Sequence, residues 1–193
     1  MSSDITGLRE ALDRTAEIFA AVPDDRRGDP TPCPDFDVRT LMNHVVAGNI
    51  MFAAVAGGEA FDGTVFEQDH LGDDPAGAYR QSAEMALAAW QRPGALDEAL
   101  SFGGMPGSVV IRMHLTEELV HGWDLAVATG QDTSLDPELA ERALEVLRPV
   151  PEEMLRGSAN FGPEVTVADD APSGDVLLAF VGRNPAHPIT TRD

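Results

Sequence analysis

Five segments of the chain place apolar residues three or four positions apart, and proline or glycine separates each segment from the next. This spacing is typical of an amphipathic helix, whereas a half-buried strand would alternate every second residue. The segments run over 4–21, 38–56, 75–92, 108–129 and 137–147, and a shorter apolar piece follows at 176–181. The sequence therefore predicts an all-α protein built on a four-helix bundle, with additional short helices toward the C-terminus.

The boundaries of these segments carry residues that start and stop helices. Aspartates able to accept hydrogen bonds from the first free N–H groups precede three of them: Asp37, Asp74 and Asp136. Gly130 is suited to end the fourth helix, and Ser173 is a candidate cap for the last one. Three prolines make 28–34 a stiff connector, and the glycine-rich stretch 96–107 is expected to hold a short extended piece. We expect one domain over 1–193, with an extension from about 157 packed on it.

The charge of the chain limits its partners. With 13 Lys and Arg against 33 Asp and Glu, the formal net charge is −20. Such a chain is repelled by phosphate backbones and anionic lipid surfaces, so we expect neither a nucleic-acid nor a membrane partner. No apolar run is long enough to cross a bilayer, and the first 25 residues lack the pattern of a secretion signal. With one cysteine and no sign of an oxidising compartment, a cytoplasmic location is expected.

Common catalytic motifs are missing from the sequence. It contains no Gly-x-Ser-x-Gly elbow, P-loop, Gly-x-Gly-x-x-Gly or His-Glu-x-x-His. The usual motif support for serine hydrolases, nucleotide hydrolases, dinucleotide enzymes and zincin proteases is therefore absent.

A polar stripe on the fourth helix is the strongest indication of a site. His114, Glu117 and His121 fall on one side of that helix, and Asp124 lies a turn further on. Glu117 and His121 are four residues apart, so both side chains can point at one atom, as metal ligands do. His44 on the core-facing side of the second helix is the natural third ligand. The same three residues could instead form a buried hydrogen-bonded network without a metal, and the residues alone leave both interpretations open.

Other side chains have expected places around this triad. We expect His114 at the mouth of the site, Asp124 orienting an imidazole, and Met51 and Trp123 lining a pocket beside the ligands. His114 and Asp124 are thus the candidate catalytic residues. The remaining polar or reactive side chains are expected elsewhere, with Glu118 solvated, Cys33 a small buried apolar residue, and His70 and His187 on the surface.

Three motifs resemble those of a known family. They are TPCPDFDVRTLMNH at 31–44, EELVHGWDLA at 117–126, and FGPEV at 161–165 together with LLAFVGR at 177–183. In these stretches the chain is similar to the DinB-like metal-binding superfamily, specifically to actinobacterial proteins related to the N-terminal domain of mycothiol-dependent maleylpyruvate isomerase.

This resemblance implies both a fold and a function. It implies a DinB-like four-helix bundle in which His44, Glu117 and His121 hold one divalent metal, zinc in the first place and nickel as the alternative. It further implies a small-molecule thiol, mycothiol, as co-substrate of a transferase- or isomerase-like enzyme that uses a metal-activated thiolate. Two alternatives stay open at this point: a metal-dependent hydrolase that uses metal-bound hydroxide, and a non-enzymatic binding protein that the metal only stabilises.

Overall fold

A computed structural model of the protein describes residues 2–34, 36–157 and 161–186, and within them the regular structure is helical. The helices are α1 Ser3–Ala20, α2 Val38–Ala56, α3 Pro75–Trp90, α4 Gly107–Thr129, α5 Pro137–Leu147, α6 Glu152–Gly157 and α7 Ser173–Phe180. The prediction of an all-α fold is confirmed. The extended piece expected in 96–107 is reduced to one isolated bridge between Ala99 and Pro106.

Side-chain caps fix the starts of three helices as predicted. A carboxylate oxygen of Asp37 accepts from the Thr40 N–H at 2.7 Å, and one of Asp74 accepts from the Gly77 N–H at 2.9 Å. Asp136 caps α5 in the same way. The predicted Ser173 cap is wrong, because Pro172 is the capping residue and Ser173 is already the first residue of α7.

The first four helices form the bundle. Helix α1 packs on α3 and α4, and α2 packs on the same two helices. Helix α5 lies against α4, and α7 lies against α5, so the later elements are layered onto the bundle. In the part of the chain that the structure describes, no helix is both long and apolar enough to span a membrane.

Helix α4 is the central element, because neighbours cover it on several sides. It contacts α1, α2 and α5. A Cβ added to Gly122 would lie only 2.9 Å from Thr15 Oγ1 of α1, which shows how closely these two helices approach. The start of α4 is equally tight, since a Cβ on Gly107 would collide with the carbonyl oxygen of Ala95. Polar side chains of α4 therefore face other helices and require partners within the protein.

Candidate metal centre

Three side chains from α2 and α4 converge at one place in the bundle. One ligand atom each of His44, Glu117 and His121 lies within 4.8 Å of the other two. Glu117 Oε2 is 3.3 Å from His121 Nε2 and 3.7 Å from His44 Nε2. The His44 side chain is 27% exposed and that of Glu117 39%, so the cluster is open to solvent on one side. The structure thus brings together the three residues that the sequence analysis selected.

The donor set fits a divalent transition metal. Ligand atoms about 2.0–2.2 Å from a tetrahedral Zn²⁺ lie roughly 3.3–3.6 Å from one another, close to the two measured separations. Two imidazole nitrogens and one carboxylate oxygen suit Zn²⁺ or Ni²⁺ better than Mg²⁺ or Ca²⁺, which prefer oxygen ligands. Three protein ligands leave a coordination position open, which is the arrangement of catalytic sites and not of closed structural ones.

His121 is held in one orientation by a buried ion pair. Its Nδ1 lies 3.1 Å from Asp124 Oδ2, which leaves Nε2 aimed at Glu117. The fully buried Asp124 carboxylate also accepts from Arg183, from Nη2 at 2.9 Å and from Nε at 3.3 Å. Carboxylates that bind the far nitrogen of a histidine fix its tautomer and its ring orientation. Asp124 therefore contacts the imidazole that it was expected to orient.

The electrostatics of the cluster favour charged groups despite burial. Burial opposes the charged ring of His121, but Asp124 and Glu117 outweigh it and raise the pKa of His121 to about 9. For Glu117, the partial loss of solvent around its carboxylate opposes the charge, yet hydrogen bonds to His121 and His44 hold its pKa well below the usual range. The Asp124 pKa is lowered by its contacts with His121 and Arg183, against the same effect of burial. Without a metal, the proton on His121 supplies the positive charge that the carboxylates require.

A second group of potential ligands shares His121 with the first. Cys33, His121 and Asp124 also have ligand atoms within 4.8 Å of one another. Arg183 already provides a positive charge to Asp124, so a divalent cation there would be repelled by the guanidinium. The His44, Glu117 and His121 group is the better metal site. Cys33 was expected to be a small buried apolar residue, and it is half-buried beside this group.

Two predictions about α4 are wrong. His114 does not lie at the mouth of the site, because it is only 1% exposed. Trp90 Nε1–H donates to its Nδ1 at 3.1 Å, and its Nε2 lies 2.7 Å from Asn49 Oδ1. Glu118 is not solvated but buried, and it accepts from the Tyr79 hydroxyl at 2.6 Å. Partners from α2 and α3 enclose His114, and a partner from α3 binds Glu118, which the spacing along α4 does not reveal.

Met51 and Trp123 were predicted to line a pocket beside the ligands. Met51 belongs to the hydrophobic core. Trp123 lines a cavity of about 130 Å³ between α1, α4 and residues 132–136, and the lining of that cavity includes none of the three candidate ligands. His70, which was expected on the surface, is half-buried, and its Nε2 lies 2.7 Å from the Val65 carbonyl oxygen. His187 lies outside the described residues.

Three residues at the centre had no role predicted from the sequence: Arg183, Phe36 and Phe66. Arg183 follows α7 and reaches Asp124 from 59 positions away. Phe36 and Phe66 flank the His44 ring, each with its ring centroid 5.1 Å away. The motifs at 31–44 and 177–183 contain Phe36 and Arg183, so the family resemblance pointed to these two residues. The helix periodicity pointed to none of the three.

Comparisons with known proteins agree with one another. Residues 8–126 match the family model described as the mycothiol maleylpyruvate isomerase N-terminal domain. Two uncharacterised proteins of Mycobacterium tuberculosis, from strains CDC 1551 / Oshkosh and ATCC 25618 / H37Rv, are each 35% identical over 178 residues, which is 91% of this chain and 94% of theirs.

The fold is also similar to a solved structure. A crystal structure of a histidine-to-alanine mutant of the mycothiol-dependent maleylpyruvate isomerase matches with a TM-score of 0.62, over 86% of this chain and 75% of that chain. The sequence identity is 17%, so this likeness concerns the fold alone.

Proposed function

Because the chain belongs to the family of the mycothiol maleylpyruvate isomerase N-terminal domain, we propose that it binds one divalent metal and uses mycothiol, or a similar small thiol, in a transferase- or isomerase-like reaction. The relation to DinB-like bundles that the three motifs predicted is thereby confirmed. The metal, the thiol and the catalysis are the proposal.

One observation carries this proposal: His44, Glu117 and His121 present their ligand atoms to one another at an edge of the bundle that solvent can reach. A network with a purely structural role would be sealed by packed side chains, as the one around His114 is. An open cluster of two imidazoles and a carboxylate instead supports a centre that meets a small molecule.

Each residue has a task in this centre. His44, Glu117 and His121 would hold the metal, which when bound supplies positive charge that favours the thiolate form of a neighbouring thiol. Asp124 keeps a proton on Nδ1 of His121, so that Nε2 stays the ligand atom. Arg183 compensates the buried charge of Asp124. The exposed edges of His44 and Glu117 leave the side from which a thiol can approach.

The proposal is tested by the absorption spectrum of Co²⁺-substituted protein titrated with mycothiol. Binding of the thiol should produce a thiolate-to-metal charge-transfer band, because coordination removes the thiol proton. His44→Ala should abolish this band. Glu84→Gln, which changes an exposed glutamate on α3, should leave it unchanged.

Two outcomes would contradict the thiol chemistry. One is a spectrum and a melting temperature that mycothiol leaves unchanged although Co²⁺ is bound. The other is a band that persists in His44→Ala. The first outcome would favour a metal-dependent hydrolase or a metal-stabilised binding protein.

A further inference from the structure

The two candidate histidine ligands are oriented by different means. His121 is fixed through its second ring nitrogen, which lies 3.1 Å from Asp124 Oδ2. In the described part of the chain, no hydrogen bond of this kind reaches the second nitrogen of His44, whose Nε2 faces Glu117 at 3.7 Å. Histidine ligands normally need such a contact, because the ring otherwise rotates and turns its ligand atom away. Something else must hold the His44 ring.

Two phenyl rings flank His44. Phe66 is stacked on it, with ring centroids 5.1 Å apart and planes inclined by 29°. Phe36 lies at the same centroid distance with an inclination of 36°. Both phenylalanines also pack against the hydrophobic core, so the rings have little freedom of their own. Offset and tilted ring pairs at this separation are attractive beyond the apolar area that they bury.

Different parts of the chain place Phe36 and Phe66 beside His44. Phe36 lies between the 28–34 connector and α2, and the hydroxyl of Thr31 in the connector donates to the Phe36 carbonyl oxygen at 2.7 Å. Phe66 comes from residues 57–73, which we call the α2–α3 segment. A single 3₁₀ turn over Gly63–Glu67 carries it there.

Asn43, the residue directly before His44, ties the α2–α3 segment to α2. Its Nδ2 donates to the Gln68 carbonyl oxygen at 2.8 Å, and its Oδ1 accepts from the His70 N–H at 2.7 Å. A second tie is the ion pair between Arg39 and Asp69, at 2.6 Å. The same part of α2 therefore supplies the candidate ligand His44 and the contacts that hold the α2–α3 segment over this ligand.

We propose that Phe66, held in place by Asn43, is a positioning residue that fixes the ring of His44 for metal binding, with Phe36 as a second ring contact. The inference rests on the proposed metal centre and adds a determinant of its affinity. An imidazole in contact with two packed rings keeps one side-chain conformation, so Nε2 stays aimed at Glu117 before the metal arrives. Removing one of these phenyl rings allows the His44 ring further conformations, and their entropy is lost again when the metal binds.

The experiment compares Phe66→Ala with Phe61→Ala. Phe61 lies in the same segment, is 46% exposed, and contacts Phe102 at 5.5 Å instead of His44. Zn²⁺ affinity is measured by competition with a chromogenic chelator. A ring contact of the usual strength predicts affinity about two- to tenfold weaker in Phe66→Ala. Phe66→Tyr should restore it, Asn43→Ala should resemble Phe66→Ala, and Phe61→Ala should match the unmodified protein.

A second readout needs no metal. The ring protons of His44 in the metal-free protein should show ring-current shifts in NMR spectra, which Phe66→Ala removes and Phe61→Ala keeps. Equal Zn²⁺ affinity and unchanged His44 shifts in Phe66→Ala would overturn the inference, and so would an equal loss of affinity in Phe61→Ala. If the unmodified protein binds no Zn²⁺ while its His44 shifts respond to Phe66→Ala as expected, the proposed metal function fails and the ring positioning stands.

Discussion

At the scale of single residues, His121 connects the protonation of the site to the stability of the bundle. Burial opposes its charge, but Asp124 and Glu117 raise its pKa to about 9, above the ordinary value of about 6.5. A pKa raised by folding means that the charged ring stabilises the metal-free protein fully below about pH 6.5. This contribution is lost as the pH rises through about 9.

The first prediction follows from the direction of this pKa shift. The unfolding free energy of the metal-free protein, measured with urea, should fall between pH 6.5 and pH 9 more steeply than that of His121→Gln. Protein loaded with Zn²⁺ should keep this part of its unfolding free energy up to pH 9, because the metal takes the place of the proton on Nε2. Parallel curves for the unmodified protein and His121→Gln would contradict the assignment of the shift to this residue.

The pair of Asp124 and Arg183 gives a second prediction. Both side chains are almost completely buried, so removing one leaves an unpaired charge in the core. Asp124→Ala or Arg183→Ala alone should lower the unfolding free energy by about 3–5 kcal/mol, whereas the double variant should lose clearly less than the sum. Urea denaturation of the metal-free proteins measures all three. Costs that simply add would show that the two groups do not compensate each other.

At the scale of elements, the turn after α7 decides where Arg183 lies. Gly182 has φ of +84°, and a Cβ added there would lie 2.6 Å from the Cα of Gly162. The backbone at Gly182 therefore approaches the backbone at Gly162 more closely than a side chain at position 182 would permit. This contact places Arg183 one residue further on, opposite Asp124.

Gly182→Ala should consequently destabilise the protein by more than its backbone conformation alone explains. Gly58 is a matched control, because its φ is +91° and a Cβ there meets nothing within 4 Å. Gly58→Ala should cost about 1–2 kcal/mol for the left-handed backbone, and Gly182→Ala more. Thermal unfolding compares the two variants. Equal costs would mean that the close approach to Gly162 has no energetic consequence.

The elements also show which features the sequence could predict. Helix boundaries depend on local chemistry, and Asp37, Asp74 and Asp136 cap helices as expected. The faces of α4 depend on how many helices surround it, which spacing does not reveal. For that reason His114 was expected at the mouth of the site and Glu118 in solvent, whereas both are buried. Phe66 and Arg183 reach the centre through long-range packing, for which helix periodicity gives no signal.

At the scale of the whole molecule, the fold brings distant segments to one edge of the bundle. Helix α2 contributes His44, α4 contributes Glu117 and His121, and the segment after α7 contributes Arg183. The formal net charge of −20 favours the approach of cations to the protein over that of anions. These features serve one common function if the triad holds a metal, as proposed above.

The metal content of protein purified without a histidine tag and without added metal tests this claim most directly. Elemental analysis should find roughly one Zn²⁺ or Ni²⁺ ion per chain. His121→Ala and Glu117→Gln should lose most of it, while Glu84→Gln, an exposed glutamate on α3, should retain it. Protein that contains no such metal and takes up none when dialysed against Zn²⁺ would contradict the account, as would metal that His121→Ala retains in full.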